Sequence, residues 1–253
     1  MKDIPNTMSQ TETPARRIEL EGCYNLRDIG GYATLDGRTT RWGTIFRADG
    51  LHRLPAHSQA KLLGYSLRTI IDLRRPAELE TSPNVFANSS AVTYLNVSLV
   101  EDESQARELP SLVNLYKTML DSGAAQFRLV FDALLIPGSF PALVHCTAGK
   151  DRTGMVIALL LGLAQVPNQT IAEDYALSTE YLSPLFDTFR QQWQQGRPDA
   201  DLAGYEKLLA SEPEMMLETL EYLDSKFGGA RQYIAGLGFN EEEIEYLRDS
   251  LTE

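Results

Sequence analysis

Residues 140 to 164 read FPALVH, then CTAGKDRTG, then MVIALLLGLA: a short apolar run, a polar turn containing glycine, and a longer apolar run. The first run has no polar side to turn toward water, so it reads as a strand buried on both faces. The second, from Gly154 to Ala164, is too short to cross a bilayer and reads as a helix buried all round. A strand, a tight turn and a buried helix commit the chain to an α/β core. They also aim backbone N–H groups and a helix N-terminus at whatever sits over the turn, which suits an anion.

The rest of the chain fits around that unit. TIFRA (44–48), LRTIIDL (67–73) and AVTYLNVSL (91–99) read as strands, the last with Thr93, Leu95, Val97 and Leu99 on one face at period two. Pro55 opens a helix that Gly64 closes. Phe127, Val130, Phe131, Leu134 and Leu135 fall at helical spacing and mark an amphipathic helix stopped by Pro137 and Gly138. Beyond Pro167 only helices are expected, with Asn240 and Glu243 as a capping box before the last. Residues 1–17 read as a flexible tail, 18–253 as one domain, and 168–238 as a helical extension or a lid.

Charge narrows the chemistry. With 23 Lys plus Arg against 35 Asp plus Glu in 253 residues, the net charge of −12 argues against nucleic acid as a partner. Any phosphate binding must then be local, in one electropositive pocket of an acidic body. Two cysteines and three histidines give neither a disulfide framework nor metal-ligand spacing, so no metal is expected. Reduced thiols and a polar N-terminus without an apolar segment point to the cytoplasm and away from integral membrane association.

The turn itself carries the reactive groups. A thiol with a free pKa of roughly 8.5 is lowered to about 3.5–7.5 by helix N-termini and cations, and Cys146 has both nearby. Arg152, six residues on, offers a planar fork for two oxygens of a phosphate. Amides of Thr147, Ala148, Gly149, Lys150, Asp151 and Arg152 can complete a cradle if the chain curls, and Gly149 permits the curl. Thr153 stands where its hydroxyl could donate to the Cys146 sulfur, and His145 is expected to orient the loop through a ring-to-backbone hydrogen bond. Lys150 adds a second cation at the rim.

HCTAGKDRTG resembles the signature loop of the protein tyrosine phosphatase superfamily, in the form of its bacterial tyrosine and dual-specificity members. NLRDIGGY (25–32), RWGTIFRADGLHRL (41–54), LRTIIDLRRPAE (67–78), IAEDYALSTEYL (171–182) and the closing segment from Leu217 resemble that bacterial family too. The resemblance implies a central, mostly parallel sheet flanked by helices, no cofactor, and a phosphocysteine formed on Cys146 and hydrolysed by water. It implies a phosphorylated protein or peptide as substrate. The Gly-Lys-x-Arg arrangement also resembles phosphoinositide phosphatases, although the net charge favours soluble phosphopeptides. A phosphate-binding adaptor without turnover is the alternative outside enzymes.

The proton donor stays open at this level. The superfamily's common Trp-Pro-Asp sequence is absent; Asp151 inside the loop is favoured, Asp72 at a strand's C-terminal end is next, and Asp102 and Asp121 lie in less regular segments. Arg74 and Arg75 read as structural, Arg27 and Asp28 as ties within a turn, and Cys23 as inert or as a reversible disulfide partner of Cys146. Tyr175, Tyr181, Phe186, Phe189 and Trp193 read either as core or as the wall of a deep pocket.

Overall fold

Among the residues described by the computed structural model, 15–99, 111–196 and 202–253, five short strands form one sheet. They are β1 (Arg27–Asp28), β2 (Ile45–Ala48), β3 (Thr69–Asp72), β4 (Thr93–Asn96) and β5 (Ala142–His145), in the spatial order β1-β2-β5-β3-β4. Only β1 is antiparallel to its neighbour. The mostly parallel sheet expected from the resemblance is therefore present, and β5, the run expected to be buried on both faces, lies at its centre. Its ladder starts one residue after Pro141, which has no N–H to contribute.

The helices are α1 (Ala56–Leu63), α2 (Pro76–Thr81), α3 (Leu112–Ser122), α4 (Ala124–Leu135), α5 (Asp151–Leu163), α6 (Asn168–Leu182), α7 (Phe186–Gly196), α8 (Leu202–Leu209), α9 (Pro213–Phe227), α10 (Ala230–Gly236) and α11 (Glu241–Leu251). Strand alternation sends side chains to two apolar clusters. Phe46, Leu143 and Ile70, paired in register, join Leu26, Leu51 and Leu62 beneath α1. Ile45, Val144 and Ile71 face the larger cluster built from α3 to α6 and α9 to α11. Cys146 falls on this second face, and His145 on the first.

Helix α5 begins three residues earlier than its apolar run, because Asp151 suits the positive end of a helix. Thr153 to Leu161 are all buried, and each large aliphatic among them contributes roughly 1.5–3 kcal/mol. Helix α4 buries Phe127, Val130, Phe131 and Leu134 as their spacing predicts. The capping box at Asn240 and Glu243 forms in both directions, at 3.0 and 2.8 Å. Helix α3 buries Val113, Tyr116, Met119 and Leu120, which stand at helical spacing. Capped by the Ser111 hydroxyl, it places Asp121 on a regular helix rather than in an irregular segment. Asp102 and positions 1–14 of the expected tail lie outside the described residues. Among the described residues no helix is long and apolar enough to cross a membrane.

Candidate active site

Strand β5 ends at His145, α5 starts at Asp151, and Cys146 to Lys150 curl between them. Gly149 makes the curl at φ +67°, and a Cβ there would lie 2.2 Å from the Ala48 carbonyl oxygen, so only glycine fits. What orients the loop is the fate of its carbonyls. Thr147 O accepts from Gly50 N–H at 2.9 Å. Ala148 O and Gly149 O accept from Asn25 Nδ2 at 2.9 and 3.1 Å, and Gly149 O also from Arg47 Nη2 at 2.7 Å. With these carbonyls bonded to Gly50, Asn25 and Arg47, the Gly149 N–H donates to the Cys146 sulfur at 3.2 Å. Lys150, at the N-cap position, makes no side-chain cap, so the first-turn amides of α5 are not taken up by it.

Beneath the loop lies a buried ionic cluster. Asp174 on α6 accepts from Arg27 Nε at 3.0 Å and Arg47 Nη1 at 2.6 Å, with all three side chains at most 1% exposed. Arg27 in turn holds the Asn25 side-chain oxygen through Nη1. Two guanidiniums against one carboxylate leave positive charge under the loop. Burial first, then the neighbouring Arg27, pull Arg47 down to about 10 even beside Asp174. Arg27 ties its own turn as expected from sequence, donating also to the Asn25 carbonyl at 3.2 Å, and in addition spans 147 residues to Asp174. Asp28 does tie the turn, accepting from Gly30 and Gly43 N–H at 2.8 and 2.7 Å.

Arg152 lies on the first turn of α5, clamped by Glu78 of α2 through Nη1 to Oε2 at 2.7 Å and Nη2 to Oε1 at 2.9 Å. Thr147 Oγ1 donates to the same carboxylate. Burial would raise the Glu78 pKa, but Arg152 outweighs it and holds the carboxyl well below its usual range. Burial likewise opposes the charge on Arg152, yet the Cys146 sulfur and Glu78 together keep its pKa above the ordinary value. The fork is therefore fixed in orientation beside the sulfur.

The His145 ring is bonded on both nitrogens. Phe86 N–H fixes the Asn84 oxygen at 2.9 Å, so Asn84 Nδ2 is the donor to His145 Nε2, and Nδ1 donates to the Cys146 carbonyl at 3.1 Å. Asp72 sits behind this ring, wholly buried. Its oxygens accept from Arg74, Asn84 and Tyr94, which makes it a buttress of the loop rather than a proton donor to substrate. Arg74 is structural as read, and Arg75 pairs with Glu78. Asp121 is held by Tyr222 and Lys226 of α9, away from the loop.

Two expectations are corrected. Lys150 is not a rim cation: it is 3% exposed, and its ammonium donates to the carbonyls of Leu208 at 2.5 Å and Ala210 at 2.9 Å, at the end of α8. Those unpaired helix-end carbonyls attract a cation more strongly than open solvent does. The Thr153 hydroxyl, fully buried, makes no hydrogen bond to the Cys146 sulfur, which takes the Gly149 amide instead. Cys23 donates to Asp49 Oδ1 at 2.8 Å, and both cysteines are free thiols.

Asp151 is not alone on its turn. Tyr116 of α3 donates to its Oδ1, and the Tyr116 and Tyr175 hydroxyls are 2.7 Å apart. Tyr175, read from sequence as core or pocket wall, is thus core with a polar tip aimed at the loop. Trp193 stacks on Tyr205 at 4.3 Å, joining α7 to α8. Sequence reading missed Asn25, Arg47, Glu78, Tyr116 and Asp174 as parts of this site. Only Glu78 carried a local signal: it follows Arg75 and Pro76 at capping-box spacing, and its Oε2 accepts from Arg75 N–H at 2.9 Å.

Comparison with known proteins agrees with this arrangement. Residues 18–253 match the model of the tyrosine phosphatase family. The chain is 30% identical over 214 residues to a tyrosine-protein phosphatase of Nostoc commune, covering 80% of this chain and 72% of that one. It is 28% identical over 262 residues to a putative tyrosine-protein phosphatase of Cupriavidus necator, covering 98% and 89%. To the triple specificity protein phosphatase PtpB of Mycobacterium tuberculosis it is 24% identical over 275 residues, covering 92% and 98%. With a family model matching from Ile18 to the last residue, the chain belongs to the tyrosine phosphatase family.

Proposed function

We propose that this phosphatase works through a phosphocysteine on Cys146. The observation that carries the reading is a sulfur held by the Gly149 amide inside a loop whose carbonyls are bonded outward, with Arg152 fixed six residues on. Cys146 Sγ attacks phosphorus in line, the P–O bond to the leaving group breaks, and Asp151 gives that oxygen a proton. Water then attacks the phosphocysteine, the S–P bond breaks, and the Asp151 carboxylate takes the water's proton. The loop amides and Arg152 stabilise the equatorial oxygens in both steps. Residues 18–253 act as one catalytic unit, with α7 and α8 as its cover.

The substrate we assign is a phosphorylated tyrosine on a protein or peptide, with phosphoserine and phosphothreonine as further substrates of the same loop. Lys150, the residue that would serve a second phosphate, is committed to the end of α8, which supports a single phosphate over a multiply phosphorylated lipid headgroup. Free thiols at Cys23 and Cys146 support a reducing compartment such as the cytoplasm.

Asp151→Asn tests the acid. Hydrolysis of phenyl phosphate, whose leaving group needs a proton, is expected to fall about 10²–10³-fold, and that of p-nitrophenyl phosphate by less than about tenfold. Equal losses on both substrates would reduce Asp151 to a positioning role.

A further inference from the structure

Asp151 is the one proton-transfer candidate at the loop whose carboxylate meets a chain of two phenols. Tyr116, fully buried on α3, donates to Asp151 Oδ1, and its oxygen lies 2.7 Å from that of Tyr175, itself 1% exposed on α6. The rings pack edge to face, centroids 6.1 Å apart at 81°, inside the main core, so neither can swing away without opening it. A phenol has one proton. If Tyr116 gives its proton to Asp151, Tyr175 must be the donor to Tyr116, and the chain runs Tyr175 to Tyr116 to Oδ1.

We propose that Tyr116, backed by Tyr175, is a positioning residue that holds Asp151 Oδ1 as an acceptor and so leaves Oδ2 to carry the proton exchanged with substrate. The inference rests on the acid role given to Asp151 above. It adds which oxygen acts, and what fixes the carboxyl in place. Lys150 Nζ, 3.4 Å from the same Oδ1, reinforces the choice of oxygen. Both phenols stay protonated: burial, then the Asp151 charge, push the Tyr116 and Tyr175 pKa values upward.

Removing the Tyr116 hydroxyl frees the Asp151 carboxyl to turn, so proton transfer to a poor leaving group slows while loss of a good one is little affected. Lys150 and Arg152 remain beside Asp151 in the variants below, so the change reads the phenols.

The test is kcat/KM for phenyl phosphate, with p-nitrophenyl phosphate in parallel, in the full chain carrying Tyr116→Phe, Tyr175→Phe or Asp151→Asn. Tyr116→Phe is expected to lose about tenfold on phenyl phosphate, with p-nitrophenyl phosphate nearly unchanged. Tyr175→Phe, which keeps the contact to Asp151 but removes the donor to Tyr116, should lose selectively on phenyl phosphate in the same way, by less. It provides the same readout if Tyr116→Phe does not fold. Equal losses on the two substrates, or none, with Asp151→Asn still selective for leaving group, would overturn the proposal alone. Loss of that selectivity in Asp151→Asn would overturn the acid assignment, and the proposal with it.

Discussion

Cys146→Ser is expected to lower phenyl phosphate hydrolysis by at least about 10⁴-fold while leaving affinity for a phosphotyrosine peptide within a few fold. The two halves have separate causes. A serine hydroxyl is not ionised near neutrality and would need a base, and the nearby candidates are occupied. His145 has one ring nitrogen on the Cys146 carbonyl and the other on Asn84, while Glu78 is clamped to Arg152. Binding, in contrast, depends on a loop braced by its carbonyls through Gly50, Asn25 and Arg47, none of which touches the sulfur in doing so. Calorimetry with the peptide and steady-state rates with phenyl phosphate separate the two. Activity within tenfold of the parent would remove Cys146 as nucleophile; loss of peptide affinity would show that the sulfur also shapes the loop.

The division between what the sequence discloses and what it conceals follows chain distance. The proposed nucleophile, the arginine and the glycine that lets the loop turn lie within seven consecutive residues, 146 to 152, so their pattern is readable locally. Strand β5 and helix α5 are readable because continuous apolar runs have few folded uses. The groups that orient the loop come from elsewhere: Arg27 meets Asp174 across 147 residues, Asn25 meets Gly149 across 124, and Tyr116 meets Asp151 across 35. Each is an ordinary residue whose role exists only once the β1 region, α3 and α6 are folded against the loop. Lys150 shows the complementary limit. Its charge is visible in the sequence, but its direction depends on the end of a helix some sixty residues away. The Thr153 hydroxyl, too, is buried without a hydrogen-bond partner, which no local pattern of residues announces.

The most destabilising single change should be Asp174→Ala. Asp174 is the carboxylate shared by Arg27 and Arg47, and both guanidiniums are essentially unexposed. Removing one member of a buried ionic group leaves the others uncompensated and costs about 3–5 kcal/mol, against a total stability of about 5–15 kcal/mol for a typical domain. For a chain of this length that corresponds to a fall in Tm of about 6–20 °C. The pH dependence gives the matching sign. Burial raises the Asp174 pKa, but Arg27 and then Arg47 outweigh it and hold the folded value well below the usual carboxylate range. A depressed folded pKa contributes stability that is fully present above the unfolded value of about 3.9 and is lost as pH falls toward the folded one. The stability gap between the parent and Asp174→Asn, measured by urea unfolding, should therefore be constant above about pH 5 and narrow below about pH 4. A gap that widened on acidification would contradict the ion cluster, as would an Asp174→Ala melting point within about 2 °C of the parent. Because Asp174 also aims Arg27 at Asn25 and Arg47 at Gly149, the same variant, assayed where it is still folded, should lose turnover as well. The bracing of the loop and the stability of the fold thus meet in one carboxylate, which lies on α6 outside the loop.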